Sequence, residues 1–348
     1  MSYLRKNIEQ MEGYSPGLQP KEAGFIKLNT NESPYPPSAR VIEAMRAACG
    51  EAIRKYPPPL ADPFRVRAAQ LLGTRPECIL CGFGSDDILT IAVRAFCGEG
   101  DLMAFPCPTY SLYEVLARIQ NARAAAVEFP EDYSLPAALA RTGARLTLLS
   151  NPNAPSGTMV AYSDVARLAD ALDGVLLVDE AYADFAEWDC LELAKTRPNV
   201  IVTRTLSKSH GLAGLRFGYA VAHEGLIAGM MKVKDSYNVS APALAGAVAA
   251  IADQEWLAQN VARIKKTRGM LVEGLTGLGF YCWPSQANFV LARVPAGRDA
   301  ERVYEGLVER KVLVRYFKAP RLEDCLRISV GTDQEIRAVL DALAEILV

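Results

Sequence analysis

Short apolar runs rich in β-branched residues alternate with amphipathic stretches through the first two-thirds of the chain. The runs are Ile79–Phe83, Leu102–Phe105, Leu146–Leu149, Val175–Val178, Val200–Thr203 and Gly218–Val221. Between them the pattern predicts helices at about 86–97, 110–120, 163–172 and 224–234, long enough for the crossovers that parallel strands require. Strand and helix in alternation predict a doubly wound α/β domain on a parallel sheet. The last hundred residues read differently. An Ala-rich helical stretch starts near 241, another helix covers about 254–276, and strands follow at Asn288–Ala292, Val312–Tyr316 and Cys325–Val330, which predicts a smaller α+β domain. Before about residue 40 there is little periodicity, and Pro20, Pro34, Pro36 and Pro37 point to an extended arm laid against other surface. The expected division is an arm at 1–40, a large domain at 41–245 and a small domain at 246–348.

The 348 residues suffice for about two domains at ~150 residues each, and half of them are apolar. Lys and Arg total 38 against 40 Asp and Glu, a net charge of −2, so no basic field for nucleic acid or an acidic membrane is present. No apolar run approaches the ~18 residues of a membrane helix, and the polar start Met1-Ser2-Tyr3-Leu4-Arg5-Lys6-Asn7 is unlike a secretion signal. A cytoplasmic location follows, and with it reduced thiols for the eight cysteines. Cys78-Ile79-Leu80-Cys81 has no second pair and no suitable helix start, and an offset of three in a strand points the two thiols to opposite faces. Both read as apolar strand residues. With His210 and His223 the only histidines, a histidine-rich metal site is excluded, and no metal is expected.

Ligands of an open parallel sheet sit beyond the carboxyl ends of its strands, so the polar residues just after apolar runs carry the chemistry. Ser150-Asn151-Pro152-Asn153-Ala154-Pro155-Ser156-Gly157 follows one run and is also built of ordinary turn residues. Asp179-Glu180-Ala181-Tyr182 follows the fully apolar Leu176-Leu177-Val178. An acid there either faces a cation or caps a helix. Arg204-Thr205-Leu206-Ser207-Lys208-Ser209-His210-Gly211 follows a third run, and the small and apolar neighbours of Lys208 argue against a solvated surface charge. Finally, Gly82-Phe83-Gly84-Ser85-Asp86 is a glycine turn into a helix start, either an ordinary cap or an anion site made of free N–H groups. An acid, a lysine, hydroxyls and an anion cradle thus fall at one edge of one sheet.

These residues resemble the fold-type I pyridoxal-phosphate-dependent aminotransferases, and within them the histidinol-phosphate aminotransferase branch, over about Tyr14 to Thr332. The most specific piece is Arg204-Thr205-Leu206-Ser207-Lys208 with Gly211-Leu212-Ala213-Gly214-Leu215-Arg216-Phe217-Gly218. The resemblance implies a large domain with a mainly parallel seven-stranded sheet and a smaller α+β domain. It implies that Lys208 bonds the aldehyde of pyridoxal 5′-phosphate and then carries the proton between Cα and C4′, which needs an amine able to lose its charge. Asp179 would pair with the pyridinium nitrogen and Tyr182 with the phenolic oxygen; Gly84, Ser85, Asp86, Ser207 and Arg216 would hold the phosphate. Tyr110 would stack on the ring, and Tyr56, in Arg54-Lys55-Tyr56-Pro57, would reach the cofactor phosphate of a neighbouring subunit in a homodimer. For the substrate, Arg327 in Leu326-Arg327-Ile328-Ser329 would take a carboxylate, Arg315 would supply a second cation, and Tyr14 would close over the pocket. Asn29-Thr30-Asn31-Glu32-Ser33-Pro34 and Tyr237-Asn238 match further signatures of the branch.

The chain departs from the family at Ala154, where an asparagine usually donates to the phenolic oxygen; either Asn153 or Asn151 takes over, or Tyr182 works alone. Ser33 and Pro36 also differ from the commonest residues, and His210 replaces an aromatic and reads as packing. The implied reaction moves the amino group of L-histidinol phosphate to 2-oxoglutarate in two half-reactions, yielding glutamate. The alternatives are an aromatic-amino-acid aminotransferase of the same branch, a threonine-phosphate decarboxylase, and a cofactor-binding regulator. The last would carry an added DNA-binding module, which nothing in the sequence suggests.

Overall fold

Seven strands form one sheet in the computed structural model, which describes residues 2–13, 17–20 and 22–348. They are β1 (Ile79–Gly82), β2 (Leu102–Cys107), β3 (Arg123–Glu128), β4 (Leu146–Ser150), β5 (Val175–Asp179), β6 (Val200–Thr205) and β7 (Gly218–Ala222). Their order across the sheet is β1-β7-β6-β5-β4-β2-β3. Strands β2 to β6 are parallel, whereas β7 runs antiparallel to both β6 and β1, so the seven-stranded sheet is mainly parallel, as expected. The reason for the reversal is local. A parallel return needs a crossover, usually a helix, but the loop from β6 to β7 holds only the 3₁₀ turn Ala213–Leu215 and brings the chain straight back. Strand β3 also escapes the hydropathy pattern, because its Ala-rich sequence lies half-exposed at the sheet edge.

Consecutive residues of the central strands enter opposite cores. Leu149, Val178 and Val202 pack on one face with Phe64 and Phe217, while Leu148, Leu177 and Ile201 pack on the other with Ile88, Leu89 and Met103. Alternation with both faces covered explains why these strands read as unbroken apolar runs. The helix Ser85–Phe96 contributes Ile88, Leu89, Ile91 and Ala92 to the second face, so its N-terminus is fixed at the carboxyl edge of the sheet. At burial of about 1.5 to 3 kcal/mol for each large apolar side chain, these layers make a rigid base for the strand ends.

A second, antiparallel sheet has the order β10-β11-β9-β8, with β8 (Tyr281–Cys282), β9 (Phe289–Arg293), β10 (Arg315–Tyr316) and β11 (Cys325–Ser329). Helices Gln254–Gly277, Ala300–Glu309 and Asp333–Leu347 cover it; the last begins with a capping box of Thr332 and Glu335. Its core also takes in Leu28, Tyr182 and Phe185, which ties the N-terminal segment and the end of β5 to this sheet. That segment is less extended than its prolines suggest. It includes a helical turn at Lys6–Glu9 and a strand, Ile26–Lys27, paired in parallel with Val312–Leu313. Cys78 closes a 3₁₀ turn, Pro76–Cys78, so only Cys81 of the pair is a strand residue. Among the described residues no helix is long and apolar enough to cross a membrane.

Candidate active site

The strands β4, β5 and β6 are neighbours, and the three polar segments that follow them meet at one edge. Asp179 is the last residue of β5, in register with Ser150 of β4 and Thr203 of β6. It is buried, and only neutral donors reach it: Tyr113 Oη gives its proton to Oδ2 at 2.9 Å and Thr203 Oγ1 to Oδ1 at 3.3 Å. Among the described residues no cation lies within 4.0 Å of its carboxylate. Burial lifts its pKa to about 6, against the two hydroxyl donors that favour the charged form. The adjacent Glu180 is the contrast. It is equally buried, yet Arg204 holds it with Nε at 3.0 Å and Nη2 at 2.9 Å. Two successive acids therefore differ in one respect, a built-in counter-charge. The one without it fits a cationic ring nitrogen supplied by a ligand.

Lys208 follows β6, separated from it by Leu206 and Ser207. Its Nζ donates to the carbonyl of Thr30 at 3.3 Å and stands 5.7 Å from the centre of the Tyr182 ring. No carboxylate among the described residues is within 4.0 Å of it, so the amine is not fixed as an ion pair. The Tyr182 hydroxyl accepts a hydrogen bond from Asn31 Nδ2 at 3.0 Å, and its ring packs edge-on against Phe289 at 5.0 Å.

The anion cradle is equally well defined. Gly84 precedes the helix Ser85–Phe96 with φ +83° and ψ 171°, a conformation open only to glycine. A Cβ there would come within 2.6 Å of Arg216 Nη2, and a Cβ on Gly218 within 2.6 Å of the Ser85 nitrogen. Arg216 reaches Asp86 Oδ2 and Ser207 Oγ, each at 3.3 Å. Guanidinium, hydroxyl and helix N-terminus thus converge, the donor set that a phosphate requires. Beside them opens a cavity of about 690 Å³ lined by Phe83, Asp86, Tyr110, Arg216 and Asn238. Tyr110 hydrogen-bonds Asp86 Oδ1 at 3.2 Å and meets Tyr113 edge-on at 5.7 Å.

Other expected residues divide. Arg315 and Arg327 face each other across β10 and β11, both over the Phe317 ring at 5.2 and 5.4 Å, and Arg327 Nη2 donates to the Asn29 carbonyl at 3.0 Å. Two cations side by side suit two anionic substrates. Tyr56 is 80% exposed and stacks on Tyr237 at 4.4 Å, outside the cradle of its own chain. Asn153 is buried, and its amide is used up within the loop region: Nδ2 donates to the Pro108 carbonyl and to Ser156 Oγ, and Oδ1 accepts from Thr109. Asn151 is likewise committed to both backbone groups of Val160. Neither amide is turned to replace the donor absent at Ala154. His210 is buried against Ser209 and Asp184, and burial lowers its pKa, in keeping with a packing role. Tyr14 lies outside the described residues. Sequence reasoning passes over Tyr113 and Thr203, whose hydroxyls hold Asp179, and gives Asn31 no role; the one signal is a second tyrosine three residues after Tyr110 on a helix start.

The family model "Aminotransferase class I and II" matches residues 23–343. The chain is 48% identical to a histidinol-phosphate aminotransferase of Rhodopirellula baltica, covering 97% of this chain and 93% of that protein. It is 46% identical to another of Geotalea daltonii, covering 99% of this chain and 100% of that protein. Among solved structures it is similar to a histidinol-phosphate aminotransferase from Sinorhizobium meliloti in complex with pyridoxal-5′-phosphate, with a TM-score of 0.90 at 28% identity, covering 100% of this chain and 98% of that one. With this match over most of its length, the chain belongs to the class I and II aminotransferases, in the histidinol-phosphate aminotransferase group.

Proposed function

We propose that the chain transfers the amino group of L-histidinol phosphate to 2-oxoglutarate, giving imidazole acetol phosphate and L-glutamate, a step of histidine biosynthesis, with pyridoxal 5′-phosphate as cofactor. The observation that carries this reading is a buried carboxylate, Asp179, and a lysine amine, Lys208, at the ends of neighbouring strands, neither with an ion-pair partner among the described residues, in a chain 48% identical to a histidinol-phosphate aminotransferase. When bound, the cofactor supplies an electron-accepting ring that stabilises the charge left at Cα when its proton departs. Asp179 keeps the ring nitrogen protonated, and Tyr113 and Thr203 hold that carboxylate in place. Lys208 would hold the cofactor through its aldehyde and would serve as the base and acid that moves the proton between Cα and C4′. The absence of an ion-pair partner among the described residues leaves the amine free to do so. Tyr182 donates to the phenolic oxygen. The N–H groups at Gly84, Ser85 and Asp86, with Ser207 and Arg216, bind the phosphate, which competes with Asp86 for the guanidinium. Tyr110 covers the ring, and Asn153 acts by shaping the loop that carries Ala154.

Arg315 and Arg327 bind the phosphate of one substrate and the carboxylate of the other. The working unit is a homodimer in which Tyr56, exposed and stacked on Tyr237, reaches the phosphate of the neighbouring subunit's cofactor. The domain division is an arm at 1–40, a large domain at 41–245 and a small domain at 246–348, with packing that crosses the boundary: Ala247, Ala250 and Ile251 join the core of the seven-stranded sheet, and Tyr182 and Phe185 that of the smaller sheet. Absorbance between about 300 and 500 nm tests the reading. Wild type should show a cofactor band that L-histidinol phosphate alone converts, and Lys208→Ala should bind cofactor without converting it. A band that responds to phenylalanine or phosphothreonine but not to histidinol phosphate would overturn the substrate; no band after adding pyridoxal phosphate would overturn the enzyme.

A further inference from the structure

Ala154 leaves the phenolic oxygen of the cofactor without its usual amide donor, and the amides of Asn151 and Asn153 are committed elsewhere. Of the candidates for that oxygen, Tyr182 is the remaining donor among the described residues. A phenol has a single proton and can point it in only one direction, so what surrounds Tyr182 Oη decides where that proton goes. The polar side chain bonded to it is Asn31, through Nδ2 at 3.0 Å. The orientation of this amide is fixed by its other end. Ser329 Oγ accepts from the Asn31 backbone N–H at 2.9 Å and donates to Asn31 Oδ1, also at 2.9 Å, which leaves Nδ2 as the atom facing the phenol. Asn288 Nδ2 clamps the Asn31 carbonyl at 3.0 Å, and the residue is buried, with φ +56°. Because Nδ2 can only donate, it occupies a lone pair of Tyr182 and turns the phenolic proton away from itself.

We infer that Asn31 is a positioning residue for the reaction: by donating to Tyr182 it directs the tyrosine's only proton to the cofactor's phenolic oxygen and so compensates for the alanine at 154. The inference rests on the cofactor reading above. It also couples the site to the substrate strand. Ser329 and Arg327 are two apart on β11 and share a face, and the arm residues Asn31 and Asn29 bond to these two in turn. Docking of the arm on β11 thus sets both the arginine for the substrate anion and the tyrosine for the ring.

The test is a pH titration of the bound cofactor's absorbance in the holoenzyme. A donor to the phenolic oxygen favours loss of the proton which that oxygen shares with the lysine nitrogen, so weakening the donor moves the midpoint upward. Asn31→Gly removes the side chain at a position whose positive φ suits glycine. The midpoint should rise by about 0.5 to 1 pH unit, the size of one ordinary hydrogen bond. In a Tyr182→Phe background the same substitution should move it by less than about 0.2, since the group through which it acts is gone. Asn31→Asp, which keeps the Ser329 bonds but puts an acceptor against Tyr182, guards against a folding failure of the glycine variant. Measured against its own parent in each case, it should raise the midpoint further when Tyr182 is present than in the Tyr182→Phe background. Equal shifts in both backgrounds, or no shift with Tyr182 present, overturn the inference. A wild type without a cofactor band overturns the cofactor reading instead.

Discussion

Tyr113→Phe removes one oxygen and nothing else, yet it should make cofactor binding sensitive to acid. The phenol is buried and donates to Asp179 Oδ2 at 2.9 Å, a bond to a group that must be charged to hold a ring nitrogen proton. Hydrogen bonds to charged groups are worth about 1.5 to 3 kcal/mol, and about 1.4 kcal/mol corresponds to one pKa unit. Asp179 of the apoprotein already titrates at about 6 because it is buried. Losing the donor lifts it further, to roughly 7 to 8. If the holoenzyme carries Asp179 as a carboxylate, binding must supply the cost of ionising it. At pH 6 the ionised fraction falls from about one half to between about 9% and 1%, so the cofactor Kd should rise about 5- to 50-fold. At pH 8.5 the carboxylate is largely ionised in both proteins, and the Kd should change less than about 1.5-fold. Fluorescence quenching of the apoprotein by added pyridoxal phosphate at both pH values measures this. A loss of affinity equal at pH 6 and pH 8.5 would refute the reasoning, since it would mean that Tyr113 shapes the pocket without governing the charge of Asp179.

Apoprotein stability should carry the opposite imprint of the same carboxylate. An acid raised to about 6 by burial keeps its proton in the fold at pH values where the unfolded chain has released it, so stability is greatest below about pH 4 and declines as pH rises through 6. The contribution is about 3 kcal/mol at most, and urea midpoints from pH 4 to 8 should decline more for wild-type apoprotein than for Asp179→Asn; parallel curves would count against it. Gly84→Ala should lose both stability, by about 1 to 3 kcal/mol from its glycine-only backbone, and at least roughly tenfold in cofactor affinity, because the new methyl displaces Arg216. Gly100→Ala, at φ +79° with open space around it, serves as the control and should lose stability alone; unchanged cofactor binding in Gly84→Ala would show that Arg216 can move without cost.

Burial on both faces makes the central strands legible, since Leu148-Leu149, Leu177-Val178 and Ile201-Val202 leave no polar position to interrupt the run. The same uniformity hides direction: nothing in Gly218–Ala222 distinguishes a strand that goes up from one that comes down, and the length of the preceding loop decides it. At the candidate site, the legible residues are one that ends an apolar run, Asp179, and those that sit in a motif, Lys208 and Arg216. Tyr113 and Thr203 are not, because each occupies an apolar position in its own element. Their hydroxyls acquire meaning only from the register that sets Thr203 beside Asp179 and from the helix that points Tyr113 at it. Asn31 lies still further from local pattern, 151 positions from the tyrosine it orients. Ala154 shows the consequence most plainly. Along the chain it is a motif with one member missing; in space, the amides nearest in sequence are occupied, and the donor that serves Tyr182 arrives from the arm. A hydrogen bond is maintained by geometry and chemistry, not by sequence position. A change in one motif is therefore to be judged by which donors still reach the same atom.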